Sequence, residues 1–333
     1  MESRGRCWFR RAGGEGHTRY HWQRGSACGF VTGKGGVGKT TVSILLATLL
    51  SRLGETLVIS LDQAKHLQEY LGLEEVNRVY NVRGSLYAMQ FDTGGDIDKL
   101  SSEYMTLMKR IMPGLKVLNL ESTVEIVKNA PGLEEEVYLR KVLELYSDTR
   151  FRYVVVDTPP TGLTLRILGL PRLYTFWIES LIGIRERIVS LRYVIARSIG
   201  REPEVDDPVL DRLRELKERY SRLSRDLGNR ERTSFAIVAT PEPLPVYEAR
   251  KTVEFLESMG AKPSIIVVNR ILPADIASRL GVQEIQSKAL NEIRSGVCRK
   301  PCVLVEIPMV ETVPSSLEAV VNLVERSKGA VLE

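Results

Sequence analysis

Residues Gly33–Thr41 read GKGGVGKTT. Gly33, Gly38, Lys39 and Thr40 meet the spacing G-x-x-x-x-G-K-[ST]. The loop follows a short apolar run, Ala27–Thr32 (ACGFVT), and precedes Thr40–Arg52 (TTVSILLATLLSR), which reads as a helix. A strand, a glycine loop and a helix in that order make a phosphate cradle. Small residues let backbone N–H groups close around a β-phosphate, and the helix N-terminus adds its positive end. Lys39 is expected to neutralise β/γ-oxygens, the Thr40 hydroxyl to ligate Mg²⁺, and Thr41 to reach the α-phosphate. ATP and Mg²⁺ are therefore the expected cofactors. The nucleotide is expected along Gly33, Lys34, Gly35, Gly36, Val37, Gly38, Lys39, Thr40 and Thr41.

Lys34 is a second lysine, directly after the first glycine. It does not easily fold back onto the phosphates of its own loop. It can point outward at a nucleotide held by a second subunit and supply transition-state charge there. The plainer alternative is a solvated loop lysine. Two aspartates complete the candidate set, each ending an apolar run: Asp62 after Thr56–Leu61 (TLVISL), and Asp157 in Tyr153–Asp157 (YVVVD). Asp62 is placed to orient an attacking water and Asp157 to hold the Mg²⁺ shell. The turn Thr158–Gly162 (TPPTG) suits a segment that senses the γ-phosphate. Each aspartate could instead cap a helix.

Further runs at Lys116–Leu120, Phe235–Thr240, Ser264–Asn269 and Val303–Ile307 also read as strands. Continuous apolar strands separated by helical stretches imply a doubly wound, mostly parallel α/β sheet, with its ligand at the strands' carboxyl ends. Two stretches break the alternation and are expected to be helical insertions: about 100–150 and 165–232. The second contains the apolar residues Leu173, Phe176, Trp177, Ile178, Leu181, Ile182, Ile184, Ile188 and Val189. It also contains Leu213, Leu216, Tyr220, Leu223 and Leu227, at steps of three and four, a seam for a partner helix. No internal repeat is visible, so one ATPase unit is expected over residues 26–333.

The chain has 333 residues and a net charge of +5, but residues 1–25 hold six arginines against two glutamates. The rest is close to neutral, with no basic block to follow a nucleic acid. Residues 1–25 are expected to be a disordered extension, or to reflect a start codon placed too far upstream. Four cysteines, Cys7, Cys28, Cys298 and Cys302, make no disulfide scaffold, so a cytoplasmic location is expected. No uninterrupted apolar run is long enough to span a bilayer.

GKGGVGKTT, the strand-end aspartate, DTPPTGLTLRILGLP (Asp157–Pro171) and VVNR (Val267–Arg270) together resemble the arsenite-pump ATPase superfamily. Within it, the order of segments is most similar to the ATPases that guide tail-anchored membrane proteins, in an archaeal-type form. NAPGLEEE (Asn129–Glu136) and ATPEPLPVYEARK (Ala239–Lys251) extend the likeness. The resemblance implies that Lys34 is the intersubunit lysine, Asp62 the water-positioning residue of switch I, and Asp157 the start of switch II. It places Asn269 and the stretch from Pro308 against the adenine. It also implies a homodimer that closes over two ATP molecules, an apolar groove for a client's transmembrane helix, and a membrane receptor. Independently, Met105, Met108, Met112, Phe176, Trp177, Leu181 and Ile182 are residues such a groove would want; each could equally be subdomain core.

Three departures stand out. Switch I reads DQAKH (Asp62–His66), where the family usually has Asp-Pro-Ala-His and then Ser or Asn. Leu163 replaces a histidine in switch II. Asp275–Arg294 lacks the Cys-x-x-Cys zinc clasp, and Cys298 and Cys302 lie further on. Those two are expected as buried or free thiols, with zinc shared across a dimer as the alternative. Among rival readings, an arsenite-efflux ATPase would need thiolates in the helical region, and no cysteine lies between Cys28 and Cys298. A partitioning or septum-positioning ATPase would need a DNA- or membrane-binding basic surface. An iron–sulfur carrier would need cysteines near the switches.

Overall fold

The computed structural model describes residues 27–111, 132–200, 207–298, 302–310 and 316–320. The chain runs β1 (Ala27–Gly33), α1 (Lys39–Ser51), β2 (Thr56–Ser60), α2 (His66–Leu71), β3 (Tyr80–Arg83), β4 (Leu86–Gln90) and α3 (Gly94–Ile111). It continues with α4 (Leu133–Ser147), β5 (Tyr153–Asp157), α5 (Thr161–Ser198), α6 (Pro208–Gly228), β6 (Thr233–Ala239) and α7 (Pro243–Ser258). β7 (Ile265–Ile271), α8 (Ala274–Arg279), α9 (Gln283–Glu292), a short π-turn and β8 (Val303–Pro308) complete it.

The strands form one eight-stranded sheet in the order β3-β4-β2-β5-β1-β6-β7-β8. All neighbours are parallel except β3 and β4. Strand side chains alternate between faces, so the apolar runs split into two cores. Val31, Val58, Val155, Val238 and Val267 face α1, with Ile44 and Leu50 packed on them. Phe30, Ile59, Val156, Ile237 and Val268 face the other way, onto helices α4 to α7. Both faces are covered, which is why these strands read as unbroken apolar runs. β1 lies between β5 and β6, so the loop after it opens where the chain turns from one half of the sheet to the other.

The β3–β4 hairpin is absent from the sequence reading. β3 alternates half-buried and exposed residues over only four positions and sits at the sheet edge, so it has no buried run to give it away. The run Lys116–Leu120 lies outside the described residues, as do residues 1–26. Of the expected helical stretches, α3 and α4 occupy the first and α5 and α6 the second. α6 turns Leu210, Tyr220, Leu223 and Leu227 into the core, and Tyr220 meets Tyr174 of α5 edge-on at 5.1 Å. The spaced leucines of α6 are therefore a seam. Ion pairs Lys217–Glu179 (2.8 Å) and Arg185–Asp207 (2.9 Å) flank it.

Candidate active site

The loop leaves β1 at Gly33 and enters α1 at Lys39. A Cβ on Gly33 would lie 2.2 Å from the carbonyl oxygen of Val238, so the sheet itself requires glycine there. Gly38 has φ 93°, and a Cβ on it would lie 2.5 Å from Nδ2 of Asn269. No side chain caps the N-terminus of α1. Its first-turn N–H groups are left for a ligand, which a phosphate-binding helix requires.

Asn269 reaches the loop directly: Nδ2 donates to the Val37 carbonyl at 2.9 Å. Pro308 is exposed at the end of β8, where it pairs in register with Ile271 of β7. Asn269 and Pro308 thus stand at the carboxyl ends of neighbouring strands, on the loop's side of the sheet. Lys39 is buried, with Nζ 3.4 Å from the Lys34 carbonyl oxygen, while Lys34 is itself half-exposed. Thr41 lies against the Tyr70 hydroxyl at 3.5 Å.

Asp157 is wholly buried at the end of β5. Its Oδ2 accepts from the hydroxyls of Thr40 (2.8 Å) and Ser60 (3.0 Å), and its Oδ1 from Ser43 (3.3 Å). Burial pushes its carboxyl up to about 6; the Thr40 hydroxyl and the Lys39 charge pull the other way. Sequence reasoning passed over Ser43 and Ser60. Both signals were there: Ser43 sits one helical turn after Lys39, and Ser60 is two residues before Asp62.

Asp62 follows β2, and its Oδ1 accepts the Ala64 N–H at 3.1 Å. The carboxylate therefore braces its own turn, and the N-cap of α2 falls to Lys65. Helix capping explains neither aspartate. In the turn after β5, Thr158 Oγ1 donates to the Val31 carbonyl at 2.9 Å. α5 begins at Thr161, so the turn runs straight into the longest helix of the fold. Leu163 packs on the core there, as a histidine would do poorly.

A buried carboxylate beside a threonine hydroxyl, at the foot of an uncapped helix, is a hard-oxygen set suited to Mg²⁺. In the loop above it, Gly35 and Gly36 have open space where a side chain would stand. The residues present fit a magnesium nucleotide.

Outside the loop, α5 carries a second feature. Leu173, Trp177, Leu181, Ile184, Ile188, Leu191 and Ile195 are all exposed, at steps of three and four along one side, with exposed Phe176 beside them. Ile167, Leu168 and Ile178 face the core instead. By length and composition this helix could cross a membrane, although no unbroken apolar run does so; only 22% of its most apolar window is buried. Of the expected groove residues, Phe176, Trp177 and Leu181 are exposed, whereas Ile182 is partly buried against the core. Met105 and Met108 fall on α3, and Met112 lies outside the described residues.

Cys298 and Cys302 are not free thiols. Their Cα atoms lie 5.5 Å apart, and they form a disulfide. Among the described residues, no group of three or more His, Cys, Asp or Glu could hold a metal. Cys28 is buried, and burial pushes its thiol up to about 12.

The family described as anion-transporting ATPase matches residues 27–326. A protein of Aquifex aeolicus (strain VF5), provisionally named arsenical pump-driving ATPase 2, is 28% identical over 271 residues, covering 80% of this chain and 88% of that protein. ATPase GET3A of Arabidopsis thaliana is 29% identical over 266 residues, covering 79% and 70%. An ATPase ASNA1 homolog of Dictyostelium discoideum is 29% identical over 269 residues, covering 79% and 78%.

Proposed function

This chain belongs to the anion-transporting ATPase family, and from that membership we propose that it is a cytoplasmic targeting factor that hydrolyses ATP and guides tail-anchored membrane proteins. In this reading it works as a homodimer closed over two nucleotides. The observation that carries it is the exposed apolar side of α5, which begins at the last residues of switch II. A side chain such as Trp177, left 54% exposed, has lost the hydrophobic gain of burial. A row of them is an interaction surface awaiting an apolar partner, and a transmembrane segment fits that chemistry. Because α5 grows out of the switch, a shift there on loss of the γ-phosphate would move the surface that grips the client.

The assigned roles follow from position. Gly33 to Thr41 cradle the phosphates, with Lys39 neutralising the β/γ-oxygens. Thr40 and Asp157 would hold Mg²⁺, which would supply positive charge to offset the negative charge that develops on the phosphates. Asp62 orients and polarises the attacking water. Lys34 crosses to the partner's nucleotide. Asn269 and Pro308 flank the adenine. A membrane receptor would take the loaded dimer.

The competing reading is an anion-efflux ATPase, favoured by the family's description and by the Aquifex relative. Soft metalloid ligands would be thiolates, and no cysteine lies between Cys28 and Cys298. Co-expression with a tail-anchored protein, followed by isolation of the complex with and without ATP, tests the choice. Recovery of a nucleotide-dependent complex supports targeting. ATPase stimulation by arsenite, with no client held, would sink it.

A further inference from the structure

Residues 62–66 form the turn between β2 and α2, and two parts of the fold hold it: the end of β4 with Asp92 just beyond it, and α4. Gln90 is buried at the end of β4, and its Nε2 donates to the backbone oxygen of Asp62 at 2.9 Å. Gln63 Nε2 donates to the Tyr138 hydroxyl at 2.8 Å. Lys65 Nζ lies 3.0 Å from Asp92 Oδ2.

These tethers differ in weight. Lys65 and Asp92 keep 46% and 25% of their side-chain surface in solvent, so water and salt weaken their attraction. Tyr138 is another matter. It sits on α4 with no exposed surface, against Phe91, where a phenylalanine would pack as well. A hydroxyl kept in such a place must find partners, and it has two: Gln63, the side chain next to Asp62, and Glu134 on its own helix. Burial pushes the hydroxyl's pKa up and the Gln63 bond pulls it down, while Glu134, by charge and hydrogen bond, and Asp62, by charge, raise it. Gln63 is otherwise solvent-exposed, so this bond decides where it points.

We propose that Tyr138, acting through Gln63, is a positioning residue for ATP hydrolysis: it fixes the turn that presents the Asp62 carboxylate to the attacking water. The Asp62 Oδ1–Ala64 N–H bond sets the turn's inner geometry, and the Gln63–Tyr138 bond sets its attitude to the rest of the fold. Misplacing a catalytic group costs rate without costing nucleotide affinity. The inference rests on Asp62 being the water-orienting carboxylate.

The test is steady-state ATPase kinetics of Tyr138→Phe, Gln63→Ala and the double variant, with Asp62→Asn alongside. Each single variant should lower kcat about tenfold, the weight of one neutral hydrogen bond, and leave KM for ATP within about twofold. The double variant should lose no more than either single one, because both remove the same bond. A merely structural role would give additive losses or a raised KM. Gln63 is exposed, so Gln63→Ala stays informative even where Tyr138→Phe folds poorly. Full kcat in Gln63→Ala, or additive losses, overturns the proposal. Normal turnover in Asp62→Asn overturns it together with the reading beneath it. An inactive Asp62→Asn beside fully active Tyr138→Phe and Gln63→Ala overturns the positioning role alone.

Discussion

The Thr40 hydroxyl donates to Oδ2 of Asp157 across 2.8 Å, joining the end of the glycine loop to the end of β5 over 117 residues of sequence. Ser60 of β2 donates to the same oxygen at 3.0 Å. The ends of β2 and β5 and the first turn of α1 thus meet at one buried carboxyl group, and its energetics can be read by titration.

Asp157 has a folded pKa of about 6 against 3.8 in an unfolded chain. The folded state therefore binds the proton more tightly, so this group favours folding most below pH 3.8. That advantage is lost as pH rises to about 6, a swing on the order of 3 kcal/mol. In metal- and nucleotide-free protein, Asp157→Asn should abolish this part of the pH dependence and exceed wild type in stability at pH 8. Denaturant melts at pH 4 and pH 8 check it. Equal stability differences at both pH values would remove the buried-charge account.

If Lys34 acts across a dimer, complementation should reveal it. Lys34→Ala and Asp62→Asn proteins should each bind ATP and lose turnover about a hundredfold or more. Mixed and re-equilibrated, they form heterodimers in which one site keeps both groups. Activity should return to about a quarter of wild type. A mixture as inactive as its parts would put Lys34 in its own site or nowhere.

Gly38→Ala forces a Cβ into the left-handed region and onto Asn269, where only 2.5 Å is available. A thermal melt should show a loss of about 1–3 kcal/mol. Calorimetry should show ATP affinity reduced about tenfold or more, since the displaced loop no longer offers its N–H groups together. Gly35→Ala, with open space around it, makes the control.

The two sides of α5 should respond differently. Phe176→Ser with Trp177→Ser changes side chains that are 66% and 54% exposed, so stability should stay within about 0.5 kcal/mol and basal ATPase should hold. Client capture should fail. Ile178→Ala, one residue on but 8% exposed, should cost about 2–5 kcal/mol. Retained capture in the serine double variant would separate the exposed stripe from any client.

The sequence by itself determined the strand, glycine loop and helix at Gly33–Thr41, the strands that end at or just before Asp62 and Asp157, and the doubly covered sheet. Those features are local: a glycine pattern fixes backbone conformation, and unbroken valine runs announce strands buried on both faces. It also supplied the spacing by which α6 finds its seam. Tertiary structure decided what depends on meeting at a distance. Ser43 and Ser60 gain meaning only because α1 and β2 converge on Asp157. β3 escaped notice because a short edge strand needs no apolar run. The pairing of Cys298 with Cys302 depends on their Cα atoms coming within 5.5 Å. On α5, hydrophobicity alone did not separate Trp177 from Ile178. Only the packing of α6 and the sheet buries one and leaves its neighbour facing outward, because which side of a helix is core is set by what lies beside it.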